Sequence, residues 1–134
     1  PFFVMEVGLP PEGVRFSNIL PTNPPIEKEV MVTVSSNIHK AYQVAQNLAS
    51  FMVNDKGEEI KKEFLTFKVE IPEGQQGRTR YTDFSPVEKG EYPIFSSNGE
   101  GAAAAFKVIY RLKGYTQMPG GEFTAPIRYS LNQN

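Results

Sequence analysis

Apolar and polar residues alternate with a period of two in four stretches of the chain, and this pattern is typical of half-buried β-strands. The clearest stretch is residues 123–131, where every odd position is apolar and every even position is polar or proline. Residues 106–113, 65–71 and 30–34 repeat the alternation. Pro126 has the outward phase, so we expect a missing ladder hydrogen bond there. The pattern therefore predicts four strands.

Residues 41–53 are ambiguous, because their apolar positions fit two periods. The even-numbered apolar positions fit a strand that is interrupted at Gln46 and Ser50, whereas a second set of positions fits a helical stripe. We favour the strand, because the turn-forming residues 54–57 follow it and would join it in a hairpin to a strand at 60–71. A single helix packed on the sandwich is the alternative.

The N-terminal residues have a pattern of their own. Phe3, Met5, Val7 and Leu9 share one phase, Pro10 and the proline after it end the run, and a shorter strand-like stretch follows at 14–20. The proline-rich residues 21–25 predict a stiff, extended spacer. We therefore divide the chain into an N-terminal strand with a proline-rich hinge (1–25) and a β-sandwich domain (26–134).

The chain begins without methionine, so we expect a removed leader or an excised piece of a longer chain, and we favour secretion.

Composition narrows the functional classes. The chain has 134 residues, a net charge of −1 and no cysteine. A near-neutral chain has no field that would favour nucleic acid, so we expect no nucleic-acid partner. The longest apolar run, residues 102–106, is far shorter than the roughly 20 residues that cross a bilayer, so we expect no transmembrane segment. Frequent turns at 54–57, 88–90, 97–101 and 118–121 indicate an antiparallel β-sandwich.

Candidate chemistry is sparse. His39 is the only histidine, which excludes a multi-histidine metal site, and a catalytic triad would need it together with Asp55 or Asp83. No Gly-x-Ser-x-Gly motif surrounds a serine, and residues 54–59 lack the spacing of a calcium loop. We therefore expect no enzyme activity, no metal and no cofactor. A small hydrolase that uses glutamates is a further hypothesis.

Two groups of side chains fit a binding role. Arg78 and Arg80 in a polar loop fit a carboxylate or a sulfate, although such arginines usually serve solubility. Exposed aromatic rings at Tyr81, Tyr92 and Tyr115 would stack on sugars, although most aromatic residues of a small sandwich belong to its core. A secreted, monomeric carbohydrate-binding or adhesive domain is therefore the alternative function.

The closing residues 120–131, with Gly-Gly-Glu-Phe followed by an alternating strand, resemble the final strand of secreted bacterial pilins and spore-coat-U-like fibre subunits. Residues 42–57 and 106–110 are also similar to these all-β subunits. The resemblance implies an immunoglobulin-like sandwich that is exported, polymerises by donation of its N-terminal strand and has no active site. Many such pilins carry a disulfide, whereas this chain has no cysteine.

Our leading hypothesis is a structural subunit of an extracellular filament, a head-to-tail polymer of copies of this chain. Phe3, Met5, Val7 and Leu9 would insert into a groove of the neighbouring subunit, where backbone pairing and alternate side chains give affinity. The simpler alternative is that residues 3–9 form the first strand of their own sandwich.

Overall fold

The chain folds as an antiparallel β-sandwich in a computed structural model, which describes residues 1–10, 12–17, 22 and 24–133. Its strands, in chain order, are β1 (Phe3–Val7), β2 (Val14–Phe16), β3 (Ile26–Ser36), β4 (Tyr42–Leu48), β5 (Val53–Asn54), β6 (Leu65–Glu70), β7 (Ser85–Pro86), β8 (Gly90–Ser96), β9 (Ala104–Leu112), β10 (Phe123–Ala125) and β11 (Ile127–Gln133). A 3-10 turn, Lys62–Phe64, precedes β6. The predicted all-β sandwich is confirmed.

One layer of the sandwich is a five-stranded sheet in the order β1-β3-β9-β6-β7. The other layer consists of two three-stranded sheets, β2-β10-β5 and β11-β4-β8. Residues 123–133 join these two sheets: β10 pairs with β2 and β5, and β11 pairs with β4. Pro126 lies between them, so the expected gap in the ladder is where the strand changes partners.

The core lies between the two layers and is rich in aromatic side chains. Alternate residues of β3, β6 and β9 are buried from one layer, as the period of two predicts. From the other layer, Phe95 stacks on Phe106 of β9 with ring centroids 4.3 Å apart. No helix in the described ranges is long and apolar enough to span a bilayer.

The preferred strand at 41–53 is confirmed as β4 and β5. The turn at 54–57 reverses the chain, with a bridge between Val53 and Glu59, but the predicted hairpin ladder with the strand at 60–71 is wrong. β4 pairs with β11 and β8, and β6 pairs with β9 and β7. The Asn54 side chain closes the turn locally, because its Oδ1 accepts the backbone N–H groups of Lys56 (2.9 Å) and Glu58 (2.8 Å). After this turn, residues 58–60 form backbone hydrogen bonds with residues 52–54. The 3-10 turn then directs the chain into the other layer.

The strand-like stretch at 14–20 appears as β2, and residues 18–20 lie outside the described residues. The spacer at 21–25 is described only at Thr22, Pro24 and Pro25. Both β1 and β2 pair with strands of the region 26–134.

Candidate functional site: the open flank

The four apolar residues that we singled out near the N-terminus lie on one phase, as the alternation predicted. Phe3, Met5 and Val7 face inward from β1, Leu9 follows them, and all four are partly buried against the core. β1 pairs with β3 of its own chain, in antiparallel register from Phe3–Ser36 to Val7–Val32. Residues 3–7 are thus the edge strand of their own five-stranded sheet in this structure.

The opposite face of β1 is also apolar near the N-terminus. The side chains of Phe2 and Val4 are each 50% exposed. Met31 on the neighbouring β3 is 46% exposed but lies at the other end of β1, beside Gly8. Asn37 fixes Phe2, because its Oδ1 accepts the Phe2 N–H at 2.6 Å and its own N–H donates to the Phe2 carbonyl at 3.1 Å. Our sequence reasoning missed this face, although the run Phe-Phe-Val-Met, apolar on both phases, was the signal.

The flank of the sandwich opposite β1 is closed by residues 78–87, which we call the strap. The strap starts beside β8, where the backbone groups of Arg78 and Ser96 exchange hydrogen bonds of 2.8 and 2.9 Å. It then crosses to the other layer, where the Tyr81 carbonyl accepts the Val69 N–H at 2.8 Å. Strand β7, within the strap, adds a short ladder to β6. Hydrogen bonds therefore link the two layers along this side.

The flank that carries β1 has no comparable closure in the part of the chain that the structure describes. β1 and β11 are edge strands of facing sheets, and no ladder joins them. A cavity of about 220 Å³ lies between them, lined by Val7, Leu9, Pro10 and by Ile127 to Tyr129. We call this side the open flank.

Chain connection 8–13 links the two layers at this flank. The Gly8 N–H donates to the Met31 carbonyl at 2.9 Å and ends the β1–β3 ladder. Gly13 has φ +114°, and a Cβ there would lie 2.0 Å from the Ala125 carbonyl oxygen, so this position requires glycine. The close approach fixes the point at which the chain enters β2. In the described residues, β1 has its ladder with β3 and packs its inward side chains on the core, as Phe3 does on Tyr42 with ring centroids 5.6 Å apart.

A buried hydroxyl–amide network extends from β11 at the open flank across β4 to β8. Gln46 of β4 is fully buried; its Nε2 donates to the Tyr92 hydroxyl at 2.9 Å, and its Oε1 accepts the Tyr110 hydroxyl. The Tyr110 hydroxyl also contacts that of Tyr129 on β11. Burial raises the pKa values of Tyr110 and Tyr129 well above the ordinary value of about 10, so both hydroxyls stay protonated at a pH at which an exposed tyrosine ionises.

Other candidate residues from the sequence lie apart from this site. His39, Asp55 and Asp83 are exposed, and His39 has φ +55°. Tyr115 stacks on Phe64 with ring centroids 4.3 Å apart. Within residues 1–10, 12–17, 22 and 24–133, no group of three or more histidine or carboxylate side chains is placed to hold a metal ion.

The three tyrosines that we considered for sugar stacking are all partly buried. The Tyr92 hydroxyl accepts hydrogen bonds from Gln46 and from the Glu88 N–H, and Tyr81 packs against Phe67. Their rings therefore belong to the margin of the core.

The chain matches no family model, no curated protein and no solved structure.

Proposed function

We propose that this chain is a structural subunit of an extracellular filament, in which copies exchange their N-terminal strand. β1 of one copy would pair with β3 of the next, and Phe3, Met5, Val7 and Leu9 would fill the groove that the neighbour's own β1 leaves. The position of β1 carries this proposal: it is an edge strand on the open flank, and β3 is its one paired strand in the structure described.

The contacts within one chain make such an exchange energetically accessible. An exchanged β1 would repeat the register seen between Phe3–Ser36 and Val7–Val32, so the ladder and the inward contacts would be conserved. The balance between monomer and polymer then depends on the connection 8–13 and on any new burial. Pro10 with the proline after it stiffens this connection, and short, stiff connections favour strand exchange over folding back.

Because exchange in the same register leaves the outward face of β1 exposed, new burial would come from a further contact between neighbouring subunits over this face. Phe2 and Val4 are half exposed in the single chain. Burying a large apolar side chain contributes about 1.5–3 kcal/mol in full, so covering the remaining half of these two would favour assembly by about 1.5–3 kcal/mol. A head-to-tail contact of this kind does not close on itself and produces a filament.

A disulfide trap tests the exchange directly, because the chain has no cysteine of its own. Glu6 and Thr33 face each other across β1 and β3, and the Cα separation of an antiparallel pair, about 4.5–5.5 Å, suits a disulfide. Glu6→Cys with Thr33→Cys should give covalent ladders when assembled material is oxidised and run on a non-reducing gel. Thr33→Cys with Ala105→Cys joins β3 to β9 and is the matched control, expected to run as a single chain.

Oxidation before assembly gives the second arm of the experiment. A β1 that is fixed to its own β3 cannot be donated, so we expect single particles by negative-stain microscopy, whereas the control pair should still form filaments. The trap is a better test than removal of residues 1–12, because truncation would also uncover the edge of β3 beside Val32 and Val34. Filaments from the pre-oxidised Glu6–Thr33 variant, or an assembled sample without covalent ladders, would refute the proposal.

A further inference from the structure

A cleft of about 290 Å³ lies on the strapped side of the sandwich, away from β1. Its walls are Arg78, Thr79 and Arg80 of the strap and residues 93–96 of β8. The open flank contributes no residue to this cleft, so its role is independent of strand exchange.

The cleft exists because two backbone segments separate after a short contact. Arg78 pairs with Ser96, and the Thr79 hydroxyl donates to the Ile94 carbonyl at 2.7 Å. The strap then bends towards β6. On the other wall, the register between β4 and β8 shifts so that Ile94 has no partner on β4, which is a β-bulge. Bulges are common beside functional sites, because they change the direction of a side chain or end a ladder.

The strap also has an unusual backbone at its entry to the cleft. Gly77 has φ +110°, and a Cβ at this position would lie 2.3 Å from the Phe95 ring. The residue that precedes Arg78 must therefore be glycine for the strap to lie this close to β8.

Two guanidinium groups border the cleft without acidic partners. Arg78 and Arg80 are exposed, and no described carboxylate lies within 4.0 Å of either one. By contrast, Arg111 pairs with Glu27 at 2.6 Å. Residues two apart in an extended chain are separated by about 6.5–7 Å, so the two arginines can approach one small ligand from the same wall.

We infer that this cleft binds a small dicarboxylate. Each guanidinium presents a planar pair of N–H donors that matches a carboxylate. The exposed Pro93 on the facing wall provides apolar contact for the carbon atoms between the two carboxylates, whereas the Ile94 side chain is buried in the core. Positive charge and apolar surface occur together here, which fits an organic acid better than a strongly hydrated inorganic anion.

Titration with succinate, followed by backbone amide shifts in NMR spectra at low salt, tests the inference. We expect saturable binding with a Kd on the order of 1 mM, with the largest shifts at residues 78–80 and 93–96. Succinamide has the same carbon chain without charge and should not bind. Removing one charge-assisted contact with Arg78→Gln or Arg80→Gln should weaken binding about tenfold or more.

Arg15→Gln is the matched control, because Arg15 is also exposed but lies on β2. It should leave the Kd within about twofold of the original. The inference is overturned if succinate shows no saturation up to about 20 mM, if succinamide shifts the same amides, or if Arg15→Gln weakens binding as much as the two cleft variants do. The filament proposal stands or falls separately, because its disulfide trap reports on β1.

Discussion

Replacing Tyr110 with phenylalanine should destabilise the sandwich, because the buried side-chain carbonyl of Gln46 then loses its hydrogen-bond donor. The Tyr110 side chain is fully buried, and its hydroxyl donates to Gln46 Oε1 and contacts the Tyr129 hydroxyl. Phenylalanine keeps the ring packing but leaves Oε1 of the fully buried Gln46 without a donor. A buried polar atom that loses its partner costs about 1–3 kcal/mol, so we expect this loss in the free energy of unfolding.

A double-mutant cycle separates this effect from simple loss of the hydroxyl. Gln46→Leu removes the amide and with it the hydrogen bonds to Tyr92 and Tyr110, at a cost of about 1–3 kcal/mol. Neither hydroxyl is left without a partner, because Tyr110 still contacts the Tyr129 hydroxyl and Tyr92 still accepts the Glu88 N–H. In the double variant neither partner remains to be left unsatisfied. We therefore expect it to cost about 1–2 kcal/mol less than the sum of the two single variants.

Urea unfolding followed by tyrosine fluorescence or circular dichroism gives the required free energies, provided that the m-value stays constant. Tyr115→Phe is the matched control, because the Tyr115 hydroxyl only accepts an exposed 3.2 Å hydrogen bond from the Lys61 N–H. It should change stability by about 0.5 kcal/mol or less. Additive effects of Gln46→Leu and Tyr110→Phe, or a Tyr110→Phe cost as small as that of the control, would refute the reasoning.

Three further predictions follow from other parts of the structure. Burial raises the pKa values of Tyr110 and Tyr129 above about 10, the unfolded value, so the unfolded state loses these protons first. The free energy of unfolding should therefore lose the contribution of these two groups as the pH rises above about 10, and this contribution is unchanged at lower pH. A native-state tyrosinate titration with every tyrosine ionising near pH 10 would contradict this. Gly13→Ala should lower the free energy of unfolding in urea by about 3 kcal/mol or more, because the new Cβ would meet a carbonyl oxygen. Gly90→Ala is the control: its φ is +101° but the space around it is open, so it should cost only about 1–2 kcal/mol. Equal costs would count against the close approach at Gly13. Val4→Lys should change the stability of the monomer by about 0.5 kcal/mol or less, because Val4 is half exposed. It should nevertheless reduce the amount of sedimentable filaments, since it places a charge on the outward face of an edge strand. An unchanged filament yield would exclude this face from assembly.

Alternation predicted the faces of the strands well but not their neighbours. The stretches at 30–34, 65–71, 106–113 and 123–131 all appear as strands with the expected buried phase. The hairpin between 41–53 and 60–71 was wrong, because a turn sequence specifies a reversal of the chain and not the length of the ladder that follows. β4 pairs with β11, whose paired residues are 79 to 91 positions away, and with β8, and no local pattern identifies such pairings.

Gln46 shows why part of the interior was misread. Its polarity looked like an interruption of a strand, yet its side chain is fully buried on the same phase as Tyr42 and Val44. Tyrosine hydroxyls from β8 and β9 satisfy its amide, and these residues lie 46 and 64 positions away in the sequence. At the open flank, the phase of Phe3 to Leu9 was likewise predictable, whereas its pairing with its own β3 depended on tertiary contacts that alternation does not encode.

The central place of β10 in its three-stranded sheet has a consequence for biosynthesis. Among the described residues, β2 and β5 each have their ladder partner in residues 123–125, and β5 has in addition an isolated bridge from Val53 to Glu59. While the ribosome is still translating the preceding codons, neither strand can complete its sheet, even though β2 has emerged long before. The second layer must therefore mature after translation has passed residue 125, and a nascent chain arrested earlier would present both strands to chaperones without their ladder partner.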